Sequence, residues 1–173
     1  MDVTNKMNYI THCIGGIGAG LLTINFIGNV DDFGKVAIMA GAVIGSIFPD
    51  IDHKKSFIGR KVPIISNIIS TAFKHRGFLH TPIFIIFLWL IIPSAISLLF
   101  KGGSQHFALL FIKGVITGIL SHIILDTFNK RGILWLWPIS NKRFRILSIK
   151  TDSFVEKLFT IGLIVAICFL YKF

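Results

Sequence analysis

PIFIIFLWLIIPSAISLLF, residues 82 to 100, carries no charge from end to end. A helix needs about 20 apolar residues to cross the hydrocarbon core of a bilayer, with 17 to 25 common. This stretch therefore reads as a transmembrane helix. Four more apolar segments accompany it, at 10–28, 35–49, 107–127 and 154–171. All but 35–49 are long enough to span. That second segment is short, which predicts a tilted or partly inserted helix. The expected fold is all-α, a polytopic membrane protein with about five apolar helices, four to five of them spanning. Residues 1–173 read as one domain.

Composition agrees. The chain is 53% hydrophobic and only 15% charged, where soluble domains carry about 25% charged residues. Mean hydropathy is +0.76. The first segment is preceded by both Lys6 and Asp2 and lacks a small-x-small cleavage pattern, so it reads as a retained helix rather than a secretory signal. Cys13 and Cys168 fall at opposite membrane faces, which argues against a disulfide between them.

The net charge of +10 could by itself suggest nucleic acid, but its placement suggests topology instead. With the N-terminus in the cytoplasm, the inner pieces hold Lys6, then Lys54, Lys55, Arg60, Lys61, Lys74 and Arg76, then Lys130, Arg131, Lys142, Arg143, Arg145 and Lys150. Lys157 follows on the same side. The outer pieces hold only Lys35, Lys101 and Lys172. This is the positive-inside pattern. Membrane lipids are the expected partners, and no nucleic acid is expected. Within the inner loops, the apolar residues at 64, 65, 68, 69 and 73 suit a short amphipathic helix on the membrane surface. Trp135 and Trp137, followed by a basic run, suit an interfacial anchor.

The polar residues of the helix ends then fall on one level. His12 lies at the inner end of the first helix. Asp50, Asp52 and His53, in PDIDH, follow the second. His75 and His80, in KHRGFLHTP, precede the third. His122 and Asp126, in SHIILD, close the fourth. Only His106 falls on the other face. Each piece alone has an ordinary reading. PDIDH resembles a helix stop, since Pro49 disfavours helix at Phe48. His122 and Asp126 are four apart and could simply pair on one helix face. Together they suggest a site, because ionisable residues in membranes mark function. Stripes of small residues lead to it: Gly15, Gly16, Ala19 and Gly20; Ala37, Gly41 and Gly45; Gly114 and Gly118. Such faces let helix backbones approach closely in lipid.

Imidazole and carboxylate without sulfur suit a divalent metal, Zn²⁺ first, with Mn²⁺ or another divalent ion as alternatives. The candidate set is larger than one ion needs, so one or two ions fit. The candidate ligands are His12, Asp50, His75, His80, His122 and Asp126. Asp52 or His53 would serve as ligand, as a group bonded to a ligand, or as general base. Arg76 would orient an anionic group.

These motifs resemble the YdjM-like family. The resemblance rests on PDIDH after a glycine-rich helix, HRGFLH before a helix, SHIILDTFNKRGILWLWPIS after another, and Thr11–His12. It covers roughly residues 8 to 150. The family consists of bacterial inner-membrane proteins described as metal-dependent hydrolases. The likeness carries its polar positions to His12, Asp50, Asp52, His53, His75, Arg76, His80, His122 and Asp126. Leu79 stands where the family's HRGxTH pattern has threonine, with Thr81 after His80. The HxxxD pair has a fainter likeness to zinc phospholipase C and P1-type nucleases. The implied activity is hydrolysis of an ester or phosphoester in a lipid-like or anionic substrate by metal-activated water. The implied location is the bacterial inner membrane, with the N-terminus and polar cluster at the cytoplasmic face. Two alternatives stay open: a metal-binding sensor or transport component without catalysis, and a structural or adaptor protein.

Overall fold

A computed structural model describes residues 7–72 and 77–172 of the chain. The long helices are α1 (Tyr9–Ile27), α2 (Asp32–Ile47), α5 (Pro82–Leu99), α6 (Gly102–Thr127) and α7 (Phe154–Lys172), with two short ones, α3 (Phe57–Lys61) and α4 (Pro63–Ala72), between α2 and α5. The protein is an all-α membrane protein. Among the described residues, four segments are long and apolar enough to span: Tyr9–Ile27, Asp32–Asp52, Pro82–Leu99 and Gly102–Thr127. Pairing outside the helices is limited, among these residues, to two isolated bridges, Asn129 with Ile149 and Ile133 with Phe144. They fold the 128–153 connection back on itself.

The second segment is longer than its apolar run. Asp31 caps α2 by accepting from the Gly34 backbone N–H at 3.1 Å, so the helix starts at Asp32. At the other end Phe48 stays helical (φ −59°, ψ −44°), and its N–H reaches back to Gly45 and Ile44. A 3-10 turn over Phe48–Asp52 then prolongs the rod. PDIDH is thus an extension rather than a stop. Proline is tolerated here because it sits in the first turn of the 3-10 segment, where its missing N–H has no partner to lose. The 21-residue unit reaches spanning length. Helix α6 likewise begins five residues before its apolar run, because the polar GGSQH stretch is helical too. Helix α4 forms where the amphipathic pattern predicts it.

Helices α1, α2 and α6 make the core, and the glycines explain how. A Cβ at Gly41 would land on the Phe111 carbonyl oxygen, and one at Gly45 on that of Val115. Reciprocally, a Cβ at Gly114 would strike the Ile38 carbonyl, and one at Gly118 that of Ala42. Backbone therefore meets backbone along the α2–α6 seam. Helix α1 lies across both partners. Gly16 faces Ser46 and Ala42 of α2, while Gly15 faces Ser121 and Leu125 of α6.

Helix α5 leans on α6, and of its residues only Phe84 is buried. Helix α7 returns to α1. Buried Glu156 accepts from the Asn8 backbone N–H at 2.6 Å and, through its other oxygen, from that of Asp152 at 2.7 Å. One carboxylate thereby ties the start of α1 to the start of α7. Ser153 Oγ accepts from the Glu156 N–H at 3.2 Å, as serine does three residues ahead of a glutamate in a capping box.

Candidate metal centre

The α1 start, the α2 end, the α5 start and the α6 end lie at the same end of the bundle. There His12, Asp50, Asp52, His80, His122 and Asp126 are all buried. His12 comes from the first turn of α1. Asp50 and Asp52 come from the 3-10 turn. His80 ends a second 3-10 turn, Phe78–His80, just ahead of α5. His122 and Asp126 share one face of α6.

Asp126 is the hub. Its Oδ1 is 3.7 Å from His12 Nε2, and its Oδ2 is 3.7 Å from His122 Nε2 and 4.0 Å from His80 Nε2. Asp50 Oδ1 lies 3.7 Å from His80 Nε2. The His12 and His122 rings stack at 4.0 Å, and His80 meets His122 edge-on at 5.1 Å. Among the described residues, two groups of ligand atoms are compact enough to hold a metal ion, each with its atoms within 4.8 Å of one another. They are His12, His122 and Asp126, and Asp50, His80 and His122.

The outward-facing ring nitrogens are held from behind. His122 Nδ1 is 2.6 Å from the Ser46 carbonyl oxygen, so Nδ1 carries the proton and donates. Nε2 is then left with a lone pair aimed at the cluster. His80 Nδ1 is 3.3 Å from Asp52 Oδ2, which turns Nε2 toward Asp50 and Asp126. A ligating histidine whose other nitrogen is held by a carboxylate or carbonyl is the usual arrangement around metals. His80 Nε2 and His122 Nε2 are buried and make no hydrogen bond among the described residues, and His80 Nδ1 has only its ion-pair contact with Asp52. An unsatisfied buried polar atom costs about 1–3 kcal/mol, and a cation between the two Nε2 atoms would remove theirs. Burial lowers the His80 pKa, but the carboxylates of Asp50 and Asp52 more than offset it, so the pKa stands above the ordinary imidazole value.

Asp50 is the open side. Its side chain is 12% exposed, whereas those of Asp52, His80 and Asp126 are essentially closed off. The turn that carries it is clamped by Ser56. That hydroxyl donates to the Asp50 carbonyl at 2.7 Å and the His53 carbonyl at 2.8 Å, while Oγ accepts from the Gly59 N–H at 2.9 Å.

Of the residues singled out in the sequence, His12, Asp50, His80, His122 and Asp126 converge, and Asp52 stands behind His80. His53 turns toward its own loop, where Nδ1 accepts from the Lys55 backbone N–H at 3.2 Å. His75 and Arg76 lie outside the described residues. Leu79 is buried in the core beside Phe84 and Ile123. Thr81 donates to the Phe78 carbonyl at 2.7 Å and so closes the turn that bears His80. One contributor carried no sequence signal: Ser46 acts through its backbone carbonyl, which any residue could supply. Glu156, which ties α1 to α7, could have been found as the lone acid of a mostly apolar segment.

The fold and site define a membrane helix bundle with a buried histidine–aspartate cluster at one end, able to hold a metal ion. The chain matches the YdjM inner membrane protein family over residues 7–172 and belongs to it. It is 36% identical over 162 residues to the uncharacterized protein YvsG of Bacillus subtilis, covering 93% of this chain and 92% of that one. It is 34% identical over 113 residues to the inner membrane protein YdjM of Escherichia coli, covering 63% of this chain and 53% of that one, so the match spans about half the relative's length. Against the uncharacterized protein YfhP of Bacillus subtilis it is 29% identical over 147 residues, covering 84% of this chain and 42% of that one. No solved structure matches this chain.

Proposed function

We propose that the cluster is the metal centre of a membrane-bound hydrolase. The observation that carries this reading is the pairing of His122 with the Ser46 carbonyl and of His80 with Asp52, each leaving Nε2 directed at Asp50 and Asp126. A simple buried hydrogen-bond plug would satisfy those nitrogens internally. Zn²⁺ suits a donor set of imidazole and carboxylate, with Mn²⁺ as the alternative.

The two ligand groups share His122, and with Nδ1 engaged only one of its nitrogens is free to coordinate. His122 would therefore serve one ion, and Asp126, whose Oδ1 faces His12 and Oδ2 faces His122 and His80, would supply a carboxylate to the cluster. When bound, such an ion supplies Lewis acidity and brings the pKa of a water to near neutrality. His12, Asp50, His80, His122 and Asp126 would hold it. Asp52 fixes the His80 ring and stands ready to take a proton from it. Asp50, on the open side, borders the path by which substrate enters. Arg76 orients an anionic group. The substrate is an ester or phosphoester of a lipid-like or anionic molecule. The cluster and N-terminus face the cytoplasm, in keeping with the basic loops at that end.

Elemental analysis of the purified protein beside its His122→Ala variant tests the reading. Stoichiometric metal in the first and none in the second is expected. Absence of metal from both sinks it, and bound metal with no turnover across a panel of esters and phosphodiesters removes the hydrolase step. Reporter fusions at residues 60 and 140 should report cytoplasm, and one at 103 the outside. A reversed pattern overturns the orientation.

A further inference from the structure

Helix α4 carries isoleucines on two sides. Ser66 and Ile69 turn inward, with Val62 just ahead of the helix; Ser66 is fully buried, and Val62 and Ile69 pack on the core that holds Ile51 and Leu79. On the opposite side Ile64, Ile65 and Ile68 are 76%, 50% and 63% exposed. Three exposed isoleucines on one side of a short amphipathic helix suit the membrane interface, so that side belongs in lipid. Helix α4 packs on α3 and on the 3-10 turn that carries Asp50 and Asp52. It therefore lies at the end of the spanning helices, the depth of lipid headgroups.

A cleft of about 380 Å³ opens there, lined by Lys54, Gly59, Pro63, Ile64, Asn67 and Ile68. Its wall is shaped by Gly59, where a Cβ would strike the His53 carbonyl oxygen, so α3 sits tight against the PDIDH loop. Among the described residues Lys54 makes no ion pair, and neither do Lys55, Arg60 and Lys61 on the neighbouring turns; all four are exposed. The lining thus pairs one exposed cation and one side-chain amide with two isoleucines and a proline.

We propose that this cleft binds the headgroup of an anionic glycerophospholipid from the leaflet at that end of the bundle. Lys54 takes the phosphate charge, Asn67 bonds headgroup oxygens, and Ile64 and Ile68 receive the first methylenes of the acyl chain. The apolar lining favours a lipid over a soluble phosphate, which would leave the isoleucines nothing to contact. The excess of cations favours an anionic headgroup over a zwitterionic one. Lys54 follows Asp52 by two residues, so a lipid held here lies beside the partly open Asp50. The site names a substrate class for the metal centre proposed above, and rests on that reading only for the step from cleft to cluster.

Native mass spectrometry of the full-length protein in detergent tests it, with phosphatidylglycerol and phosphatidylcholine of identical chains supplied in equal amounts. Preferential retention of one phosphatidylglycerol is expected. Lys54→Gln should lower that retention about fivefold, the share of one lysine at a lipid surface. Lys142→Gln, the same charge change in the 133–147 loop, should leave it unaltered. Excess glycerol 3-phosphate should not displace the lipid. The proposal is overturned if Lys54→Gln retains the lipid like wild type, if both lysine variants weaken it equally, or if glycerol 3-phosphate displaces it. If Lys54→Gln fails to fold, judged by thermal unfolding, Asn67→Ala is read in the same way. His122→Ala separates the two readings: it should lose metal and keep phosphatidylglycerol. Lipid selected by a wild type that holds no metal removes the metal centre alone. Metal held by a wild type that does not select the lipid removes this site alone.

Discussion

The α2–α6 seam and helix α5 are made of similarly apolar sequence and do opposite things with it. In the most apolar 18-residue window of Asp32–Asp52, 56% of the residues are buried, whereas in Pro82–Leu99 only 6% are. The seam depends on what is missing: Gly41, Gly45, Gly114 and Gly118 each let a facing carbonyl approach to where a Cβ would stand. Helix α5 depends on bulk apolarity that lipid accepts in any order. Its specific contribution is at its start. There Phe84 packs against Phe78 edge-on at 5.2 Å and His80 is set into the cluster. In a membrane the hydrophobic effect does not drive helix to helix, so close packing of small residues must do so. The difference shows where this protein can absorb change and where it cannot.

Gly41→Val is the hardest test of that contrast. Its side chain must push the Phe111 carbonyl away, at a cost above about 3 kcal/mol. Loss of folded protein in detergent, followed by thermal unfolding, is expected; a variant as stable as wild type would break the comparison. Glu156→Ala probes the other inter-helix anchor. Leaving the Asn8 and Asp152 N–H groups without their acceptor should cost about 1–3 kcal/mol, read as a lower unfolding temperature with metal content unchanged. Asp52→Asn addresses the site rather than the seam. Weakening the carboxylate that holds His80 Nδ1 should reduce metal affinity about 10–100-fold in a competition titration with a chelator, while the fold persists. Leu90→Ala, on the exposed face of α5, should shift stability by no more than about 0.5 kcal/mol. A large loss there would mean that α5 is covered by another protein surface instead of lipid.

Much of this was open to reading in the residues. The four-residue spacing of glycines in α2 and α6 marked the faces that meet, because only small residues at that period permit backbone contact. The level shared by His12, Asp50, His80, His122 and Asp126 followed from where lysines and arginines stop and apolar runs begin. Other features resisted. The helical state of Phe48 ran against the usual influence of a following proline, since the 3-10 turn absorbs it. The first turn of α6 was hidden because polar GGSQH carries no hydropathy signal. The division between Asp52, behind His80, and His53, turned to its own loop, depends on dihedral angles within a single turn.

The sequence by itself determined an all-α membrane chain, the ends at which its polar residues gather, and the faces on which its helices touch. These follow from local quantities: apolar length, charge placement and period. Tertiary structure decided which nitrogen of each histidine faces the cluster, that Asp126 is the hub, and that Asp50 is its open side. Those relations join residues on different helices, and they depend on how each helix is rotated about its axis and how far it slides along its neighbour. Backbone contact at the α2–α6 glycines sets both at once, which no single segment specifies.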